Sequence, residues 1–131
     1  LKKFEHENVQ IKSFFAPNHT YDQNTFAALK DLGIKNIIDG YGLVPYSEYN
    51  LNFVPQLFYK EIMLPFGIQS TQIHLNYWND DHYKNFENFI FKNQNKIINF
   101  EKCLEKTNNN FLSKFINFST KAAVKSIRLF K

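Results

Sequence analysis

Thirty residues near the N-terminus, SFFAPNHTYDQNTFAALKDLGIKNIIDGYG (Ser13–Gly42), constrain the fold more than any other part of the chain. The segment before them runs into them as a strand, Val9–Ala16, which Pro17 ends because proline has no N–H to give to a ladder. Asp22 is a good N-cap, and Phe26, Ala27, Leu29 and Leu32 recur near helical spacing over Gln23–Leu32. Gly33 stands where a helix C-cap is expected. Ile34–Ile38 is a short, mostly apolar run suited to a strand covered on both faces. Strand, helix and strand in so short a span form a βαβ unit. It predicts an α/β fold built on short parallel strands, as an open sheet or a barrel.

Downstream the pattern continues. Gly40–Asn52 resembles a long loop, a short strand is expected around Phe53–Gln56, and Lys60–Ile68 is ambiguous. Ser70–Leu75 reads as a further strand with His74 near its end. Asp80 or Asp81 then caps a long helix from His82 to about Lys106, whose apolar stripe is Tyr83, Phe86, Phe89, Ile90, Ile97, Phe100 and Leu104. Thr107–Asn110 is a linker, and Phe111–Phe130 is a second amphipathic helix. The expected organisation is one α/β domain over residues 1–106 and a basic helical tail over residues 107–131.

At 131 residues there is room for one core but not two of ordinary size. The single cysteine, Cys103, excludes an internal disulfide and a cysteine metal cluster, and its helical setting suggests a small buried side chain. The chain starts at Leu1 and its first residues include no apolar signal-peptide core, so the expectation is a piece whose upstream part is missing. No apolar stretch approaches the roughly 18 residues of a transmembrane helix, which favours a cytoplasmic or membrane-peripheral location. The charge is segregated. After Glu105 there are six cations and no acids, so the net +4 of the chain leaves residues 1–105 at −2, that is +4 less +6. That argues against a protein-wide nucleic-acid surface, and no nucleic-acid partner is expected.

Ligands of parallel α/β folds bind at the carboxyl ends of the strands, where loops and helix N-termini converge. Three polar clusters fall there: Asn18-His19-Thr20, then Asp39 with Tyr41, then His74 with Asn76, Tyr77 and Trp78. His19 is open to several roles: metal ligand, substrate contact, acid/base or solvated loop residue. Asp39 before Gly40 is common turn chemistry as well as a candidate catalytic carboxylate. His74 lies in an apolar strand, where burial without a partner would be costly, so it is either a satisfied structural histidine or an active-site group. Dinucleotide, P-loop, zincin and nucleophile-elbow motifs do not occur.

On these residues the chain resembles the polysaccharide deacetylase (NodB-like) superfamily of carbohydrate esterases. FFAPNHTYDQNTFAALKDLGIKNIIDGYG is similar to the family's strand ending in Arg-x-Pro, its D-x-x-T-x-x-A-L helix with L-G, and its strand ending in Asp. TQIHLNYW is similar to the last block, apolar-x-apolar-His, and the similarity spans about Ile11–Glu105. The resemblance implies the C-terminal portion of an irregular (β/α) barrel. It also implies metal-assisted hydrolysis of N-acetyl groups on a surface polysaccharide, with a divalent metal, zinc by preference, polarising the amide carbonyl. His74 would protonate the leaving amine, Asp39 would support the catalytic groups, and Pro17 matches the motif proline. Phe15 stands in place of the arginine, and His19 is the candidate to replace part of its polar role. The family's base aspartate and its Asp-His-His metal ligands belong to upstream blocks, and His6-Glu7 does not reproduce their spacing. The expectation for this chain alone is therefore no metal bound in the family's manner and no hydrolysis.

Two further readings are open. The same fold could be a non-catalytic carbohydrate-binding or scaffold domain, with Tyr41, Tyr46, Tyr77 and Trp78 stacking on sugar rings beside Pro17, Asn18, His19 and Asn76. The tail could pack on the domain with a solvated lysine face, or dock peripherally on an anionic membrane through residues 107–131.

Overall fold

The computed structural model describes residues 2–129; Leu1, Phe130 and Lys131 lie outside it, as do the side chains of Arg128 and Leu129. The chain is mixed α/β, with short parallel strands flanked by helices. After a short helix α1 (Lys2–His6), the strand expected over Val9–Ala16 is reduced to one bridging residue. Phe14 pairs in parallel with Ile37, its N–H donating to Asn36 O (2.8 Å) and its carbonyl accepting from Ile38 N (2.9 Å). Direction is as expected, length is not. Beside the bridge, the Asn36 side chain donates to Lys12 O (2.8 Å).

The helix α2 (Gln23–Asp31) follows its sequence signals closely. Asp22 caps it, accepting from Thr25 N (2.8 Å), and Thr25 Oγ1 reaches back to the Asp22 N–H (3.4 Å) in a capping box. Phe26 and Leu29 face inward, and Gly33 (φ +71°) takes the left-handed position that ends the helix. It leads to β1 (Asn36–Ile38), which pairs in parallel with β3 (Leu51–Val54).

The segment expected to be a long loop, Gly40–Asn52, holds an additional strand, β2 (Tyr46–Glu48), antiparallel to β3. Their connection is only Tyr49-Asn50, at φ 55° and 58°, the left-handed pair that a type I′ hairpin turn requires. Sheet order is β1-β3-β2. Pro55 interrupts the strand, and β4 (Gln56–Phe58) resumes it to pair in parallel with β5 (Ser70–Thr71). Gln56 N donates to Gly40 O (3.1 Å), tying the two sheets together. No closed barrel forms among the described residues.

The core is Phe26, Leu29, Ile34, Ile37, Tyr46, Leu51 and Phe53, with Ile11, Phe14 and Tyr21 against its edge. Tyr46 stacks on Phe53 (centroids 5.0 Å, planes 4° apart) and is buried. That removes it from any sugar-stacking role.

The long helix expected from His82 to Lys106 is two helices. Asn79, not an aspartate, caps α3 (Asp80–Asn93), accepting from His82 N (3.0 Å), and the ladder stops where the Asn93 amide turns back onto Phe89 O (2.8 Å). Asn99 caps the restart, α4 (Phe100–Glu105). The last helix, α5 (Phe111–Leu129), matches its periodicity. It meets the body through Ser113 and Asn117, which are buried, while Phe111, Phe115 and Phe118 face solvent. Asn117 Oδ1 accepts from Leu43 N (2.9 Å) and Val44 N (3.3 Å), and Nδ2 donates to Val44 O (3.1 Å). Gly42 permits this approach, since a Cβ there would sit 2.7 Å from Asn117 Oδ1.

Candidate functional site

The parallel strand ends converge on a polar cleft of about 380 Å³ lined by Asn18, His19, Tyr41, Tyr59, Gln72 and His74. Each follows a strand. Asn18 and His19 come after the Phe14 bridge, Tyr41 after β1, Tyr59 directly after β4, and Gln72 and His74 after β5.

The first wall is set by a single turn of 3₁₀ helix, Pro17–His19. Pro17 is exposed and shapes this turn; it is not part of the cleft lining. Asn18 and His19 both have left-handed backbones (φ 56° and 55°), a conformation costing non-glycine residues roughly 1 kcal/mol or more each. His19 N donates to Ala16 O (3.1 Å), and Thr20 Oγ1 to Pro17 O (2.8 Å), which hold the turn.

That turn delivers the His19 ring to Asp39. Asp39, at the end of β1, is 2% exposed, and its Oδ1 accepts from its neighbour Gly40 N (2.6 Å) and from His19 Nδ1 (2.9 Å). A carboxylate on Nδ1 fixes the neutral ring as the Nδ1–H tautomer, leaving Nε2 as an acceptor. Tyr59 supplies the donor: its hydroxyl lies 2.7 Å from His19 Nε2. Phe15 and Tyr59 both meet the imidazole edge-on, with centroids 5.6 and 5.7 Å away. Carboxylate, imidazole and phenol therefore form one continuous hydrogen-bonded line from the core to the cleft surface. Asp39 Oδ2 is buried and has no hydrogen-bonding partner, so half of the carboxylate's acceptor capacity is unused by protein groups.

The buried charge reaches beyond His19. Tyr21, on the core side, has its phenol pushed up from 10.0 to about 12, first by burial and then by the charges of Asp39, Tyr41 and Glu48.

His74 departs from expectation in place but not in neighbourhood. β5 ends at Thr71, so His74 is not in a strand; it is exposed and precedes a 3₁₀ turn, Leu75–Tyr77. It lines the cleft with His19. Asn76, Tyr77 and Trp78 do not: Tyr77 is 83% exposed, and Trp78 turns onto α3, its ring 5.2 Å from both Tyr83 and Phe86. Sequence reasoning passed over Tyr59 and Gln72. The carboxyl-end rule that selects His19 and Asp39 also selects Tyr59, once β4 is recognised beyond Pro55.

Among the described residues no group of three or more His, Cys, Asp or Glu side chains could hold a metal ion. His19 Nδ1 is hydrogen-bonded to Asp39, while His6 pairs with Glu7 at the exposed N-terminal end (3.2 Å).

Searches against protein-family models, curated proteins and solved structures give no match for this chain.

Proposed function

We propose that this chain is the C-terminal part of a polysaccharide-deacetylase-like protein, a portion of an irregular (β/α) barrel whose cleft holds a sugar of an N-acetylated surface polysaccharide. The observation that carries the reading is the lining of the cleft. Two imidazoles, two phenols and two carboxamides converge from separate strand ends, in a space sized for about one or two sugar rings. Such side chains both donate and accept, as sugar hydroxyls and acetamido groups demand, and they present ring edges to C–H faces.

His19 is the residue best placed to handle a proton. Asp39 holds it in one tautomer and would stabilise the imidazolium formed when Nε2 accepts a proton. His19 is the candidate for part of the polar role of the family's arginine, in whose place Phe15 packs edge-on against the imidazole. His74, across the cleft, matches the family's proton-donating histidine and is solvent-accessible enough to exchange that proton.

A second reading is a non-catalytic carbohydrate-binding or scaffold domain of the same fold, which needs no metal donor set of the kind not found among the described residues. Both readings require the cleft to bind sugar. Titrating the chain with N-acetylglucosamine oligosaccharides, followed by imidazole NMR signals, is expected to shift His19 and His74 and to leave His6 in place. No movement of His19 and His74 at roughly millimolar sugar, a weak but measurable affinity, would overturn the sugar site. Acetate release distinguishes the two readings: none is expected from this chain alone, and robust metal-dependent release would make it a complete enzyme.

A further inference from the structure

We infer that the outward face of α5 is a peripheral membrane-docking surface for anionic lipid. The helix runs for 19 residues, about 28 Å at 1.5 Å per residue. One side is spent on the body of the protein: Ser113 and Asn117 are buried there, and Lys121 reaches Glu48 (3.3 Å) and lies over the Tyr46 ring (4.7 Å). Ile116 and Val124 are half-buried on the same side, so the body covers the two fully buried polar residues and two aliphatic ones and none of the phenylalanines.

The apolar side therefore points away. Phe111, Phe115 and Phe118 stand at i, i+4 and i+7, exposed by 86%, 59% and 70%, with Leu112 beside them at 64%. Spacing of three and four residues places the three rings in one row. Lys114 and Lys125, both exposed, border that row on one side. Three large aromatic side chains aligned in water are not a solvated face; such a patch marks an interaction surface.

Charge selects the occupant. No acid follows Glu105, and all six charged residues beyond it are cations. A row of phenylalanines flanked by lysines on a helix with no anion matches an anionic lipid interface, where rings enter the headgroup–acyl boundary and ammonium groups meet phosphate. The helix would lie in the interface and not cross it, since no described helix is long and apolar enough to span a membrane.

The test is vesicle co-sedimentation of the whole chain on phosphatidylserine–phosphatidylcholine vesicles and on phosphatidylcholine alone, with wild type, the triple variant Phe111→Ser/Phe115→Ser/Phe118→Ser, and Lys114→Gln/Lys125→Gln. The substituted side chains are exposed, so circular dichroism should report an unchanged fold. Wild type is expected to bind the anionic vesicles, the phenylalanine variant at least about tenfold more weakly, and the lysine variant about fivefold more weakly for each lysine removed. Binding that is absent in wild type, indifferent to the phenylalanines, or equal on neutral vesicles overturns the inference. So does a wild-type dimer, dissolved by the phenylalanine substitutions, that ignores lipid.

Discussion

Residues 11–58 and residues 59–129 are comparably rich in large apolar side chains yet use them in opposite ways. All seven residues of the core cluster fall between Phe26 and Phe53. Among the described residues of the second region Cys103 is the one buried apolar side chain, while Phe66, Tyr77, Phe91, Phe111, Leu112 and Phe118 are each more than 60% exposed. There, α3, α4 and the 61–73 segment line an open apolar pocket of about 420 Å³ between Phe58, Met63, Phe86, Phe89 and Ile97, beside a Gln69 carboxamide buried without partners. The strands explain the difference. In the first region a ladder holds neighbouring elements at fixed spacing, so side chains interdigitate; in the second, beyond the two-residue strand β5, α4, α5 and the segment before α5 are tied to the first region by side-chain hydrogen bonds such as Lys12–Glu101, Asn109–Ser47 and Asn117–Leu43. The cleft lies on the seam, with Asn18, His19 and Tyr41 from the ordered region and Tyr59, Gln72 and His74 from the other.

The largest effect that could break this comparison is on global stability. Phe53, stacked on Tyr46 and edge-on to Phe26 (6.0 Å), is 2% exposed. Phe53→Ala is expected to cost about 3–5 kcal/mol, enough to unfold a domain of this size under mild conditions. Phe91, 75% exposed on α3, should change stability by less than about 0.5 kcal/mol when replaced by Ala. Urea midpoints measure both. Similar losses for the two would mean that the outer region shares the core after all.

The sequence makes the first region legible and the second misleading for the same reason. Asp22, Thr25 and Gly33 act within a few residues of themselves, so the boundaries of α2 follow directly from their chemistry. The parallel relation of Phe14 to β1 is likewise implied by a connection too long for a hairpin. The Tyr49-Asn50 turn carries no glycine, the usual mark of a left-handed pair, so β2 was hidden in an apparent loop. For α3 and α4 the apolar period runs unbroken through Ile97, and only the fold reveals that Asn93 and Asn99 end one helix and begin another. At the site, His19 and Asp39 could be placed at strand ends from sequence, but their 2.9 Å contact depends on two left-handed residues that no pattern announces. The burial expected of His74 failed because it rested on a strand that stops at Thr71.

A middle-sized effect tests how α5 is attached. Asn117→Ala removes the acceptor for Leu43 N and Val44 N and the donor to Val44 O. Leaving those part-buried groups without partners should cost about 1–3 kcal/mol. Because the contacts join one helix to one loop, the cost should appear locally: faster amide exchange along α5, by roughly 5- to 150-fold on the same scale, with β1 and β3 unchanged. Asn109→Ala, which loses exposed contacts to Ser47 (3.0 and 3.1 Å), is the milder control. Acceleration spread evenly over both regions would show one cooperative unit where two of unequal tightness are expected.

The smallest effect concerns alkaline pH, and it too should separate the regions. Tyr21 and Tyr46 belong to the first. Burial, followed by Asp39, Tyr41 and Glu48, raises the Tyr21 phenol from 10.0 to about 12, and burial, then Tyr21, Glu48 and Asp39, raises Tyr46 further still. In the unfolded chain both would ionise near the ordinary value of about 10. The folded state thus keeps protons that the unfolded state gives up. The linked stability is fully present below pH 10 and is lost as pH rises through about 12. The Tyr21 ring is only half-buried, so solvent screening keeps its share modest. Thermal melts across this window should fall steadily for wild type and less steeply for Tyr21→Phe, which has no proton to lose. Identical slopes would mean that the Tyr21 phenol ionises as readily in the fold as outside it, and that the packing of the first region against Asp39 is looser than its geometry implies.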